Sequence, residues 1–127
     1  MAALDAATAA LLKRFGKAFN AGDVEAILAC VTADFEWIMA RGPAAPDGRI
    51  VRGREGVRAA LAERAGDLRE VRFSETEVFA AGERVVGTFR MSARRADGSA
   101  VDVRGCDLYV IRDGLIARKD SYWKQIA

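Results

Sequence analysis

The sequence predicts an α+β protein in which three N-terminal helices pack on a strongly curved antiparallel sheet of about four to six strands. In three segments before about residue 66, apolar residues recur every three or four positions, as on one face of a helix. After it they alternate with polar residues, as in strands. The segments Ala96-Asp97-Gly98-Ser99 and Asp113-Gly114 are hairpin signals between the later strands.

The helical half contains clear end signals. An apolar stripe from Leu4 to Phe19 predicts the first helix, and Asn20-Ala21-Gly22 ends it because glycine readily adopts the left-handed cap conformation. Asp23 is expected to cap a short second helix. A third helix is predicted over residues 53–66.

The strands are predicted at residues 34–39, 68–80, 83–95, 100–112 and 115–125. Residues 41–52 contain both prolines and are predicted to form a loop, positioned to cover an opening. The length of 127 residues suits a single domain over residues 1–127.

The composition excludes several classes of function. The chain has no histidine, so Ser-His-Asp catalysis, Cys-His catalysis and histidine metal sites are excluded. Cys30 and Cys106 are interpreted as small buried residues in a reducing cytoplasm. No glycine-rich phosphate motif is present. We therefore expect no metal and no cofactor.

The charge pattern argues against nucleic-acid and membrane partners. The net charge is only +2, and the longest basic clusters, Arg94-Arg95 and Arg118-Lys119, are interpreted as solvated strand positions. The N-terminus lacks the positive start of a signal peptide, and no apolar run approaches the ~18 residues of a membrane span. A cytoplasmic location is expected.

Four motifs occur in a recognisable order: Asn20-Ala21-Gly22-Asp23, Asp34-Phe35-Glu36-Trp37, the hairpin 104–116 and Tyr122-Trp123. In this order they resemble the SnoaL-like proteins of the NTF2-like (cystatin-like) superfamily. The resemblance implies a cone-shaped half barrel with an interior ligand pocket, and often a homodimer formed through the outer sheet face. It also implies kinship with polyketide cyclases, ketosteroid isomerases and limonene epoxide hydrolases.

The resemblance gives residue-level tests. The strand acid of ketosteroid isomerases matches Asp107, but Phe15 and Met39 stand at the positions of the tyrosine and the base. The arginine and last-strand acid of limonene epoxide hydrolases match Arg90 and Asp120, but Ser92 replaces the middle acid. SnoaL cyclases need only one key acid and a shaped pocket, so theirs is the activity that this sequence contradicts least.

Strand parity also singles out Asp107, which shares a face with apolar residues. A carboxylate there must be paired, protonated or at a cavity. The interpretations left open are an acid inside a pocket and a structural aspartate, which is either held by an arginine or by backbone donors or stands on a solvated face. If Arg90 and Asp120 also face inward, the three form an Arg/Asp/Asp cluster; the alternative is exposed cross-strand pairing.

The preferred hypothesis is a cofactor-free enzyme that acts on a small, mostly apolar, carbonyl-bearing molecule. Asp107 would be the general acid, with Asp120 and Arg90 tuning the charge. The alternatives are a non-catalytic binding module and a dimerising interaction subunit. The candidate ligand-binding residues, which would line the cavity, are Phe15, Phe19, Trp37, Met39, Ser92, Tyr109, Tyr122 and Trp123.

Overall fold

A computed structural model describes residues 4–125, so the ends of the predicted domain 1–127 lie outside the described residues. It has three helices: α1 (Ala6–Ala21), α2 (Val24–Leu28) and α3 (Gly53–Asp67). Its strands are β1 (Val31–Ala44), β2 (Gly48–Arg52), β3 (Leu68–Ala81), β4 (Arg84–Arg95), β5 (Ala100–Arg112) and β6 (Leu115–Trp123). The predicted α+β fold class is confirmed.

The six strands form one curved, unclosed sheet in the order β2-β1-β6-β5-β4-β3. Neighbouring strands are antiparallel except β1 and β6, which run parallel, so the sheet is mixed rather than wholly antiparallel. In the parallel pair the first strand lies beside the last one, with Trp37 in register with Lys119.

The helix hairpin forms where the sequence predicts it. Gly22 has a φ of 66° and donates its backbone N–H to the carbonyl groups of Ala18 and Phe19, which ends α1. The carboxylate of Asp23 accepts the backbone N–H of Ala26 at 3.1 Å and so caps α2. The tight turn holds the buried face of α2 against α1.

Residues 41–52 do not form the predicted loop. They belong to a β-hairpin in which β1 continues to Ala44, β2 begins at Gly48, and Trp37 pairs with Val51. The two prolines misled the prediction, since they lie at the tip of an edge hairpin, where a missing backbone N–H removes no ladder bond.

A β-bulge in β6 determines which of its side chains face the interior. Ile116 pairs with Ile111, but the next β5 residue, Val110, pairs with Arg118, so Ala117 is an extra residue in β6. The bulge reverses the alternation. After it Lys119 and Ser121 are buried, whereas regular alternation would bury their neighbours.

Aromatic side chains connect α1 to the sheet. The ring of Phe19 packs edge-to-face against Trp37 of β1 and Phe73 of β3, with centroids 5.9 and 6.1 Å apart. Phe73 continues the contact to Phe89 of β4 at 5.2 Å. Such pairs contribute roughly 0.5–1.5 kcal/mol beyond their buried area. They hold α1 over the concave face of the sheet.

We expect Asn20→Ala to lower the free energy of unfolding by about 1 kcal/mol. The Asn20 side chain bonds the backbone of Phe73 twice: its amide donates to the carbonyl at 3.2 Å and its oxygen accepts the N–H at 2.7 Å. Urea denaturation measures the loss. Lys17→Ala, at an exposed position of the same helix, is the control and should change stability little. Equal losses of unfolding free energy in both variants would contradict a stabilising role for the Asn20–Phe73 hydrogen bonds.

Candidate functional site

The concave face of the sheet borders an open cavity of about 740 Å³. Its rim is formed by the β1–β2 hairpin, the C-terminal end of α3 and the turn between β4 and β5. Its interior wall is mostly aromatic and apolar, with a few polar groups: Trp37, Met39, Ala60, Arg64, Phe73, Phe89, Val101, Lys119, Ser121 and Trp123. This volume and this lining lie within the range that is usual for small-molecule sites in proteins.

A chain of buried polar side chains begins at the cavity wall. Ser121, which lines the cavity, donates its hydroxyl to Asp107 Oδ1 at 2.6 Å. Asp107 is 3% exposed and also accepts the hydroxyl of Tyr109 at 3.1 Å through Oδ2. Lys119 Nζ lies 3.4 Å from Ser121 Oγ and 3.8 Å from Asp107 Oδ1. The four residues form one connected network beneath the cavity.

Lys119 is the unusual member of this network, because a lysine is rarely buried. It is 5% exposed, and its ammonium lies 4.9 Å from the ring centroid of Phe19 and 5.0 Å from that of Trp37. Burial lowers its pKa, the Asp107 carboxylate opposes that shift, and the Arg64 guanidinium adds to it. The lysine is thereby moved toward its neutral amine form.

Arg64 brings a second cation to the same wall. Its guanidinium carbon lies 5.9 Å from the ring centroids of both Trp37 and Phe73, and burial lowers its pKa. Its Nη2 is buried and has no hydrogen-bond partner within residues 4–125. A buried N–H group without an acceptor is costly, so this donor is an unsatisfied polar group beside the cavity.

A smaller cavity of about 540 Å³ lies between α1 and strands β3 to β5. It is lined by Asp107, Tyr109 and Lys119, whereas Asp107 is not on the wall of the larger cavity. Lys119 therefore borders both spaces, and Asp107 is one hydrogen bond behind the larger one. Within the described residues, no cluster of three or more Cys, Asp or Glu side chains is placed to hold a metal ion.

Six of the eight candidate binding residues border these spaces. Trp37, Met39 and Trp123 line the larger cavity, and Phe15, Phe19 and Tyr109 line the smaller one. Their role in binding stays a prediction.

The conditional inward cluster of Arg90, Asp107 and Asp120 does not form, and Arg90 takes the alternative of exposed cross-strand pairing. Arg90 lies on the outer face, where its guanidinium binds both oxygens of Asp102 at 2.9 and 2.7 Å. Asp120 is also on that face and accepts the hydroxyl of Tyr122 at 3.3 Å.

Ser92 and Tyr122 lie on neither cavity wall either, and Tyr122 is 53% exposed. The bulge at Ala117 explains why Asp120 and Tyr122 face outward, because it turns every later residue of β6 to the other face. Arg90 and Ser92 follow the regular alternation of β4, in which Phe89 and Met91 are the buried neighbours.

Lys119, Ser121 and Arg64 are site residues that the sequence does not predict. Lys119 was interpreted as half of a solvated basic cluster, and the structure shows that this is wrong. Its burial depends on the bulge, which alternation counting from the Asp113-Gly114 turn does not detect. Nothing in the sequence indicates that Arg64 is buried, since one arginine on a polar helix is usually exposed.

The chain is thus an α+β domain whose curved, unclosed sheet borders a cavity. Residues 12–119 match the family model described as the SnoaL-like domain. The chain therefore belongs to the SnoaL-like family, as the four sequence motifs predicted. No curated protein matches the chain.

Solved structures with this fold include a candidate polyketide cyclase from Xanthomonas campestris pv. campestris, at 22% identity and a TM-score of 0.80, covering 93% of this chain and 90% of that one. TerC, co-crystallised with polyporic acid, is 21% identical with a TM-score of 0.80 and coverages of 94% and 92%. An NTF2-like protein of unknown function from Burkholderia pseudomallei K96243 is 17% identical, with a TM-score of 0.81 and coverages of 94% and 92%.

No helix within residues 4–125 is long and apolar enough to cross a membrane.

Proposed function

We propose that the larger cavity binds a small, mostly apolar, carbonyl-bearing molecule and that the chain catalyses proton transfer at this molecule without a cofactor. The observation that carries the proposal is the buried network of Lys119, Ser121, Asp107 and Tyr109, which ends at an aromatic cavity wall. Buried ionisable groups of this kind are concentrated at functional sites.

The polar groups are arranged to act on a carbonyl group. The free Nη2 of Arg64 supplies a donor for the carbonyl oxygen and for the negative charge that develops there on enolisation. Lys119 and Ser121 are the proton-exchanging groups at the wall, and Asp107 is the carboxylate behind them. Asp107, expected to be the general acid, thus acts through Ser121 and Lys119 on a ligand in this cavity.

The proposal also agrees with the structural relatives. One is a candidate polyketide cyclase, and TerC was crystallised with polyporic acid, an organic ligand. The aromatic side chains on the wall of this chain suit the body of an apolar ligand. Arg64 and Lys119 suit its oxygen atoms.

The test uses the uncharged bicyclic ketone 2-tetralone. Both tryptophans of the chain, Trp37 and Trp123, line the larger cavity, so their fluorescence should report binding. In D₂O, NMR should show that the wild type accelerates exchange of the protons next to the carbonyl carbon. In Asp107→Asn we expect binding to persist and catalysed exchange to fall about 100-fold, the usual contribution of an acid-base group.

Asp120→Asn is the matched control, since its carboxylate lies on the outer face. It should bind and exchange like the wild type. Loss of exchange in Asp120→Asn with retention in Asp107→Asn would overturn the assignment of the network. Absence of any fluorescence change with 2-tetralone would count against the proposed ligand class.

A non-catalytic binding module is the second candidate. It is favoured by the position of Asp107, which the larger cavity does not reach directly. In that case Arg64 and Lys119 fix the oxygen atoms of the ligand and no proton moves. Tryptophan quenching by 2-tetralone without accelerated deuterium exchange would select this function.

We further propose that the chain forms a homodimer through its outer sheet face, as the resemblance implies. That face presents the exposed Tyr122 beside a charged network in which Glu75 binds Arg90 at 3.4 Å and Arg104 at 3.1 Å. Sedimentation velocity tests the proposal, with Tyr122→Glu expected to shift the dimer toward monomer.

A cytoplasmic location, inferred from the free Cys30 and Cys106, stays a prediction.

A further inference from the structure

We propose that Lys119 is a nucleophile that forms an imine with the carbonyl group of the bound ligand. The inference rests on the proposed function and specifies the chemistry of its site. It assigns to Lys119 a covalent step in addition to its part in proton transfer.

The surroundings of Lys119 are those that activate an amine. Its Nζ is enclosed by the rings of Phe19 and Trp37, and Arg64 is a second cation on the same cavity wall. A lysine becomes nucleophilic when it is desolvated in an apolar pocket or placed beside another cation, and Lys119 satisfies both conditions. The titratable groups that face it are Asp107, Tyr109 and Arg64.

The network provides a route for the proton that must leave the ammonium. Asp107 Oδ1 lies 3.8 Å from Nζ, and Ser121 lies between them, accepting from Lys119 and donating to Asp107. A proton passed along this route leaves Lys119 as the amine and Asp107 as the acid. The protein is then ready to react without a change in the net charge of the site.

The reaction balances with these groups alone. The Nζ electron pair forms the C–N bond as the C=O π bond opens onto the oxygen, which Arg64 holds. The nitrogen then loses a proton to this oxygen, which becomes the hydroxyl of a neutral carbinolamine. A proton returned from Asp107 lets that hydroxyl leave as water, which gives the protonated imine. The imine withdraws electrons from the neighbouring carbon and so makes its protons easier to remove.

The probe is 1-phenylbutane-1,3-dione, whose imine rearranges to a stable enaminone that absorbs in the ultraviolet. We expect the intact mass to rise by one diketone less one water, and peptide mapping to locate the addition at Lys119. The other lysines, Lys13, Lys17 and Lys124, are exposed and serve as internal controls in the same molecule. Modification of Lys119 should be at least about tenfold faster than theirs, because only Lys119 is desolvated among aromatic rings.

Lys119→Arg keeps the positive charge but removes the amine, so it should lose the enaminone while still quenching tryptophan fluorescence on binding the diketone. Lys124→Arg is the matched control and should react like the wild type. Binding of the diketone to the wild type without modification at Lys119 would overturn the nucleophile and leave the proposed function standing. Absence of both binding and modification would overturn both. Because mapping is done on the wild type, the result does not depend on a variant that folds poorly.

Discussion

Asp107→Asn is expected to lose about 3 kcal/mol of unfolding free energy at pH 7, as when one partner of a buried ion pair is removed. Asp107 is 3% exposed and accepts hydrogen bonds from Ser121 and Tyr109, with Lys119 beside it. The amide retains an acceptor but no charge, so the Lys119 ammonium is left buried without its counter-ion. Asp120→Asn, on the outer face, should change stability by less than about 0.5 kcal/mol.

The deficit of Asp107→Asn should shrink as the pH rises from 7 to 9. The Lys119 pKa is lowered by burial and partly restored by Asp107, so removing Asp107 lowers it further. Between the folded and unfolded pKa values of Lys119 the unfolded chain binds more protons, so the free energy of unfolding increases with pH. Because the folded-state pKa is lower in Asp107→Asn, this increase begins at a lower pH in the variant than in the wild type. Urea titrations at several pH values measure this. A deficit that does not change with pH would show that Lys119 is already neutral in the folded wild type.

Gly105→Ala is expected to cost about 2–3 kcal/mol through overpacking of the sheet. A Cβ atom at Gly105 would meet the Tyr122 carbonyl oxygen, and it would come within 2.8 Å of Trp123 Cδ1 and 2.9 Å of Phe89 Cζ. A backbone carbonyl and two rings cannot move aside without disturbing β6 and the cavity wall. Thermal unfolding gives the loss, and the fluorescence of Trp123 should change with it.

The control for this substitution is Gly16→Ala. No atom lies within 4 Å of the Cβ position at Gly16, which is inside α1. Alanine is the better helix former there and should stabilise the protein by roughly 0.5–1 kcal/mol. If both variants were equally stable, the close approach of β5 and β6 would not be what requires glycine at position 105.

The fold was predictable because its signals are local. The cap at Gly22, the N-cap at Asp23 and the Asp113-Gly114 turn each define an element from a few neighbouring residues. The hairpin over residues 41–52 was missed because proline is excluded from central strands but tolerated at an edge.

The site was only partly predictable. Asp107 could be found because its own alternation places it in an apolar row, whereas Lys119 and Ser121 depend on the register of β6 against β5. One signal was available: without a bulge, Asp107 would stand directly opposite Asp120, an unfavourable pairing of like charges. The structure instead pairs Asp107 with Ser121.

The bulge at Ala117 therefore has a consequence for folding fidelity. As the β5–β6 hairpin closes from its turn, it can zip in a regular register or in the bulged one. The regular register brings Asp107 and Asp120 together, and the bulged register brings Asp107 close to Lys119. Repulsion between Asp107 and Asp120 thus disfavours the regular register during folding. Attraction between Asp107 and Lys119, two residues of the candidate site, favours the bulged register.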